Sequence, residues 1–330
     1  MTTRRLNSGA ARQPPRSPDI SVVVPTRSRE TRLAFLLDAL AEQTLDRDRY
    51  EVIVVRSDDS PGPFTEAPDG LEVKFLTATR GAAGQRNAGW RRASAPLVAF
   101  TDDDCRPARD WLERILAAAG DPETFIQGRT EPDPDELGQM RGLARTMDVT
   151  DYDVWAPTCN MTYPRELLER VGGFDERFVE AWGEDTDLAW RARETGARQE
   201  FHADALVWHA VHSRTLPEAV REGTRRNAIP MVVARHPELR GALSLRVFLL
   251  RSHAWLAIGL AGYLVAGRRH RLLGLLAFGP YVHHHLEDAG ASPVGMLRWS
   301  VLSAPRAVMV HGAEMASSLV SSIRHRSLVL

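Results

Sequence analysis

Lysine is almost missing from this chain of 330 residues. Lys74 stands alone, and every other one of the 42 basic side chains is an arginine. The skew reads as compositional bias without functional weight. It does leave a single lysine, inside a predicted strand, for gripping phosphates. Cysteine is scarce too: Cys105 and Cys159 cannot build a disulfide framework or a zinc cage. That points to a reduced, cytosolic setting. Net charge is nearly absent, at -1, and no nucleic-acid partner is expected. No internal repeat is present. A long apolar run without interruption is lacking as well, which makes a true membrane span the least favoured reading of the C-terminal segments. A spanning helix needs about 20 apolar residues. Residues 247–267 have that length but carry Arg251 and His253, and "LLGLLAFGPYVHHHL" is shorter and holds Gly279-Pro280. The opening "MTTRRLNSGAARQPPRSPD" has charge but no apolar core, which argues against a secretory signal. Its Pro, Arg and Ser content marks residues 1–18 as a disordered leader.

What is present is ample core material, with 43% hydrophobic residues, enough for one large or two ordinary domains. The near-zero net charge hides an asymmetry. Residues 1–211 carry 27 basic and 37 acidic side chains, and residues 212–330 carry 15 and 6. A basic back half suits an anionic surface.

The β-branched run "ISVVVP" and the stretches "YEVIVV", "LEVKFL" and "PLVAFT" read as strands. Between them, "ETRLAFLLDALAEQT" sets Leu33, Leu36, Leu37 and Leu40 on one helical face, and "GAAGQRNAGWRRASA" is a glycine-bounded helix. "ARDWLERILAAAG" is a further helix. The alternation predicts an α/β domain with a mostly parallel sheet and helices on both faces. Residues 128–153 are rich in Pro and Asp and read as a long loop with a short helix near "ELGQMRGLARTM". "TYPRELLERVGG" reads as a helix with Thr162 as N-cap and a glycine stop. "EDTDLAWRARETG" is a helix and "RQEFHADALVWH" a strand. The division expected is a leader (1–18), an α/β domain (19–215) and a C-terminal helical region (216–330). The apolar segments of that last region read as amphipathic helices in a membrane interface, arginines toward the headgroups. The plainer reading is a helical subdomain packed on the core or in a homodimer.

Ligands in open α/β sheets bind at the carboxyl ends of strands. "PTRSR" (25–29), "RSDDS" (56–60) and "TDDD" (101–104) fall there. Each alone is ordinary turn chemistry; three on one edge point to a site. Arg27 and Arg29 could clamp phosphate or stack on a base, or be surface arginines. Asp58 or Asp59 could accept from a base imide or a ribose hydroxyl. Arg86 and Asn87 open a helix, where anions are favoured, and Arg86 could instead pair with the aspartates. The triplet Asp102, Asp103 and Asp104 suits Mg²⁺ or Mn²⁺ bridged to a diphosphate. A capping turn would need one aspartate. Glu184, Asp185 and Asp187 open a helix; they could complement its dipole, or supply a general base. His209 and His212 are candidate metal ligands or packed side chains.

Together, "SVVVPTRSR", "EVIVV", "RGAAGQRNAGWRRASAPLVAFTDDDCRP", "NMTYPRELLERVGGFDERF" and "GEDTDLAWRARETG" resemble the family 2 glycosyltransferases of the GT-A fold, over roughly residues 19–212. The resemblance implies that Pro25, Thr26 and Arg27 line a nucleotide pocket. It implies that Asp102 and Asp104 form a DXD motif with Asp103 between them. Asp185 matches the catalytic base of inverting members, beside Glu184, and His209 matches a histidine that ligates metal in some relatives. Asn160 and Gly173, with Trp182, would fall in the sugar and acceptor pocket. One stretch departs: the family often has "VVDDGS" where this chain has "VVRSDDS", which leaves open which aspartate reads the base. The QxxRW motif of processive synthases is lacking, which favours transfer of one or few sugars.

The implied reaction is inverting, metal-dependent transfer from a nucleoside-diphosphate sugar to a hydroxyl of a lipid-linked or cell-envelope glycan. It would run at the inner face of a membrane with a divalent cation, Mg²⁺ or Mn²⁺. The rivals are a nucleotidyltransferase, which the lysine shortage disfavours, and a non-catalytic carbohydrate-binding protein, which the intact acidic motifs disfavour.

Overall fold

The computed structural model describes residues 17–60, 65–79, 81–178, 182–267, 269–288 and 303–330. The expected leader lies almost wholly outside them. Among the described residues, eight strands are formed: β1 (Ile20–Thr26), β2 (Tyr50–Ser57), β3 (Val73–Ala78), β4 (Leu97–Phe100), β5 (Cys105–Pro107), β6 (Thr124–Pro132), β7 (Met161–Pro164) and β8 (Arg198–His209). They make one sheet in the order β3-β2-β1-β4-β7-β6-β8-β5. Pairings among β1, β2, β3 and β4, and between β6 and β8, are parallel. β7 runs antiparallel to β4 and β6, and β5 antiparallel to β8. The sheet is therefore mixed, where a mostly parallel one was expected.

Helices cover both faces, as expected. Alternation along β1 sends its valines to opposite sides. Val22 and Val24 join Leu33, Leu36, Leu37 and Leu40 of α1 (Glu30–Ala41) and Trp111, Leu112 and Ile115 of α3 (Trp111–Ala118). Val23 joins Trp90 of α2 (Ala82–Arg92), Leu167 and Leu168 of α4 (Arg165–Val171) and Leu188 of α5 (Glu184–Glu194). The four α1 leucines are fully buried, each contributing about 1.5–3 kcal/mol.

Two local expectations are corrected. Thr162 does not cap a helix. Residues 161–164 pair with β4 from Phe100↔Met161 to Leu97↔Pro164, so α4 starts at Arg165; it does end on left-handed Gly172. The long loop from residue 128 is shorter than expected. β6 continues to Pro132 beside β8, and the short helix is a 3-10 turn at Pro134–Gln139. Gly128 permits that pairing because a Cβ there would lie 2.4 Å from Ala205 O.

The C-terminal region is helical: α6 (Leu216–Gly223), α7 (Ile229–Arg235), α8 (Arg251–Val265), α9 (Arg271–Gly274), α10 (Gly279–Asp288) and α11 (Ala304–His325). Thr215 and Glu218 close a capping box at the start of α6. Ile229, Val232 and Val233 of α7 pack with Phe178, Leu239 and Val329, so the last residues return to the chain that follows α4. Among the described residues, no helix is long and apolar enough to cross a membrane.

Candidate active site

β1 and β4 are parallel neighbours, with Val23 opposite Phe100. Residues 25–29 and 102–104 therefore leave the sheet side by side. The chain then turns back, and Cys105 of β5 pairs in register with His209 of β8. This register sets Asp104 against His209. A cavity of about 570 Å³ opens there. Its wall includes Pro25, Thr26, Arg27 and Arg29; Arg86 and the three aspartates; and Trp182, Glu184, Asp185 and His209.

The aspartates find their counter-charges in arginine and histidine. Asp103 accepts from Thr26 Oγ1 at 2.7 Å and Arg29 Nη1 at 2.9 Å. Arg29 also donates to Asp104, which accepts from His212 Nε2 at 2.8 Å. Arg29, expected on phosphate, thus lies on the acidic cluster. Burial, then Asp104, raises the Asp103 carboxyl to about 6, against the pull of Arg29. Burial acts the same way on Asp104, but the His212 hydrogen bond and the charges of His209 and Arg29 hold it well below the usual range.

One oxygen stays unsatisfied. Asp104 Oδ1 is buried without a hydrogen-bond partner, 3.6 Å from His209 Nε2. A buried carboxylate oxygen lacking a donor is costly, and it is a hard ligand of the kind Mg²⁺ and Mn²⁺ take. Asp104, His209 and the partly exposed Asp102 therefore fit a divalent cation. Cys105 belongs to the same cluster, but burial pushes its thiol well up, which disfavours the thiolate a metal needs.

Across the cavity, Gly183 (φ +95°) starts α5. A Cβ there would meet Val232 Cγ2 at 2.8 Å. The three acids that follow are put to different uses. Glu184 accepts from Arg86 Nη1 at 2.8 Å and from the Trp182 N–H at 2.7 Å. Asp187 turns away, accepting from Arg191 Nε at 2.8 Å and Arg235 Nη1 at 3.0 Å. Asp185 faces the cavity. It accepts from Thr186, from the backbone N–H at 2.8 Å and from Oγ1 at 3.5 Å. Burial, then Glu184, raises Asp185 to about 7, against the pull of Arg86. Buried Arg86 links the two acidic groups, since its Nη2 donates to Asp102 at 2.8 Å.

Five expected residues are absent from the cavity wall. Asp58 is exposed, and Asp59 accepts from Arg27 at 2.9 Å and Ser57 Oγ at 2.6 Å. Asn87 Nδ2 donates to Phe174 O, and its Oδ1 accepts from Trp90 Nε1 and the Phe174 N–H. Asn160 Nδ2 donates to Arg129 O and Ala205 O, and its Oδ1 accepts from Trp111 Nε1. The hydrogen-bonding groups of both asparagines serve the scaffold. Gly173 (φ +73°) sits under Asn87; a Cβ would lie 2.5 Å from Asn87 Oδ1 and 2.7 Å from Trp90 Nε1. Gly173→Ala is expected to lower the melting temperature by several degrees and leave donor affinity of the folded fraction unchanged. Thermal melts and a binding titration check this.

Sequence reasoning missed part of the wall: Arg145, Pro157, Thr158 and Cys159, and Glu218, Arg221, Glu222 and Arg225 around α6. The only local signal for the latter was the Thr215–Glu218 capping box. Arg145 and Arg226 flank Trp182, 4.8 and 4.9 Å from its ring. Burial, then Arg226 and Arg214, lowers Arg145 to about 10.

Residues 21–178 match the family model described as glycosyl transferase family 2. The chain is 28% identical over 269 residues to the pre-mycofactocin glycosyltransferase of Mycobacterium tuberculosis, covering 75% of this chain and 55% of that protein. It is 29% identical over 241 residues to the validoxylamine A glucosyltransferase of Streptomyces hygroscopicus subsp. limoneus, covering 60% and 53%. The match thus spans just over half the length of these relatives. Among solved structures, a mannosyltransferase from Pyrobaculum calidifontis in complex with GDP-Man and Mn²⁺ is similar with a TM-score of 0.53. Identity is 22%, and coverage is 98% of this chain and 91% of that one. That likeness concerns the fold, which is of the GT-A type. The aspartate triplet and the strands β1 and β4 that lead to its edge thus lie within the stretch, residues 21–178, that matches the glycosyl transferase family 2 model.

Proposed function

We propose that the protein is an inverting, metal-dependent glycosyltransferase that moves a sugar from a nucleoside-diphosphate sugar to an acceptor hydroxyl. One observation carries the reading. Buried Arg86 bonds both Asp102 and Glu184, which fixes the donor-side aspartates and the base-side acids across a single cavity. Pro25, Thr26 and Arg27 border the nucleotide side. Asp102, Asp104 and His209 would hold the cation, which when bound neutralises charge on the leaving diphosphate. Asp185 accepts the proton of the acceptor hydroxyl. Its carboxyl, raised to about 7, suits a base working near neutral pH. Attack from the face opposite the leaving group inverts the anomeric carbon. Trp182 borders the same cavity on the side taken for the sugar.

The test is product analysis with UDP-, GDP- and dTDP-sugars, Mn²⁺ and candidate acceptors. The expected result is acceptor-dependent release of free nucleoside diphosphate. Release of pyrophosphate would assign a nucleotidyltransferase. Donor binding without turnover across the whole panel would assign a binding protein.

A lipid-linked or envelope acceptor is supported by the C-terminal surface. Leu264, Val265, Leu272, Leu276 and Ile323 are each at least 73% exposed, in the half of the chain where basic residues outnumber acidic ones. Apolar side chains beside arginines suit an anionic bilayer surface. The full chain is expected to float with vesicles containing anionic lipid and to detach in high salt. A chain that stays in the aqueous fraction as a dimer would assign that surface to a second copy.

A further inference from the structure

The C-terminal helices hold a second polar centre, outside the wall of the donor cavity. α8 supplies His253, α10 supplies Tyr281, and α11 supplies His311 and Glu314. His253 is fully buried and Glu314 is 5% exposed. His253 Nε2 lies 2.8 Å from Glu314 Oε2. An ion pair would account for those two groups alone, yet a third donor is present. One ligand atom each from His253, His311 and Glu314 all lie within 4.8 Å of one another.

Metal-binding side chains are normally held by outer partners, and each of these three has one. His253 Nδ1 donates to Leu330 O at 3.2 Å, which leaves Nε2 toward the centre. Tyr281 Oη lies 2.9 Å from His311 Nδ1 and orients that ring. Arg226 Nη1 lies 3.4 Å from Glu314 Oε1. Two imidazoles and a carboxylate are a donor set that zinc takes. Tetrahedral bonds of about 2.1 Å set ligand atoms roughly 3.4 Å apart, so an approach of at most about 1.4 Å brings the three donors to bonding positions, with the fourth position left to water.

We propose that His253, His311 and Glu314 form a binding site for a zinc-type divalent ion, separate from the cation site at Asp104. The ion would clasp α8 to α11. Because Glu314 packs where a Gly223 side chain would stand and contacts Arg226, the clasp also fixes the helices that wall the donor cavity.

The experiment uses the full chain, stripped with chelator and titrated with Zn²⁺ alone. Wild type and Asp104→Ala are both expected to retain one equivalent through desalting, with a raised melting temperature. Co²⁺ in its place is expected to give the visible bands of tetrahedral coordination. His253→Gln combined with His311→Gln should lose that equivalent while keeping the wild-type circular dichroism spectrum. If the double variant does not fold, His311→Gln alone is expected to weaken binding at least about tenfold. Uptake by Asp104→Ala that is unchanged in the histidine variants would overturn the site. Absence of any retained zinc in wild type would do the same. Loss of zinc in Asp104→Ala alone would assign the ion to the donor cavity instead.

Discussion

Asp185→Asn is expected to abolish sugar transfer, by about 10²–10⁴-fold if proton abstraction is the lost contribution, while donor affinity changes little. Asparagine keeps the shape and the acceptor oxygen for the Thr186 N–H but cannot take a proton. The same substitution is expected to stabilise the ligand-free protein. Burial and Glu184 raise the Asp185 carboxyl to about 7 in the fold, whereas an unfolded aspartate titrates near about 3.9. A raised carboxyl is protonated in the native state where the unfolded chain is already ionised. Wild type therefore loses stability as pH climbs from about 4 to 7, and the loss is complete above that. The gain of the variant over wild type should grow across that window and then level off. Wild-type kcat/KM should rise with pH through about 7. Near-normal turnover in the variant, or no dependence of its stability gain on pH, would remove Asp185 from the role of base.

The second large effect is expected at Asp104. Asp104→Asn should keep the fold, because the amide oxygen still accepts from Arg29 and His212. It should lose metal-stimulated donor binding, because an NH₂ group, which cannot ligate a cation, then stands where the unsatisfied carboxylate oxygen was. Catalytic metal ions supply several kcal/mol of charge stabilisation, so kcat/KM should fall by more than about 100-fold. The sign of the pH effect is opposite to that of Asp185. His212, His209 and Arg29 overcome burial and hold Asp104 well below the usual range. Its stabilising contribution is complete above about 4 and fades as pH falls further. The amide variant should lack that acid-side loss. Mn²⁺ titrations monitored by donor fluorescence and melting curves between pH 3 and 8 check both points. Unaltered Mn²⁺ stimulation in Asp104→Asn would sink the cation assignment.

The elements that were legible from sequence are those whose burial is written locally. β1 and β2 are β-branched runs, β4 is a short apolar one, and the α1 leucines recur at helical spacing. The triplet at 102–104 and the acids at 184–185 stood out because neither turn nor dipole needs so many. What was not legible depended on partners distant in the chain. "TFIQGRTEP" becomes a strand because β8 lies beside it and Gly128 lets it approach. "MTYP" becomes a strand because β4 pairs with it, so the helix starts three residues after Thr162. Asn87 was read into the pocket from its place near a helix start and Asn160 from the resemblance, and neither signal tells where an asparagine's hydrogen-bonding groups are used. In the fold those groups hold Phe174, Trp90, Trp111 and two backbone carbonyls. The α6 side of the cavity was invisible because nothing local tells a helix face lining a cavity from one facing solvent.

Arg86 serves Asp102 with one nitrogen and Glu184 with the other. A shared counter-ion makes the two halves of the cavity electrically dependent on each other. Positive charge delivered to Asp102 leaves more of the guanidinium's field for Glu184 and Asp185, and Asp185 then ionises at lower pH. On the proposed function, loading of the donor side would prime the acceptor side. Such coupling favours ordered addition, with the donor first and the acceptor hydroxyl met only by a base already made competent.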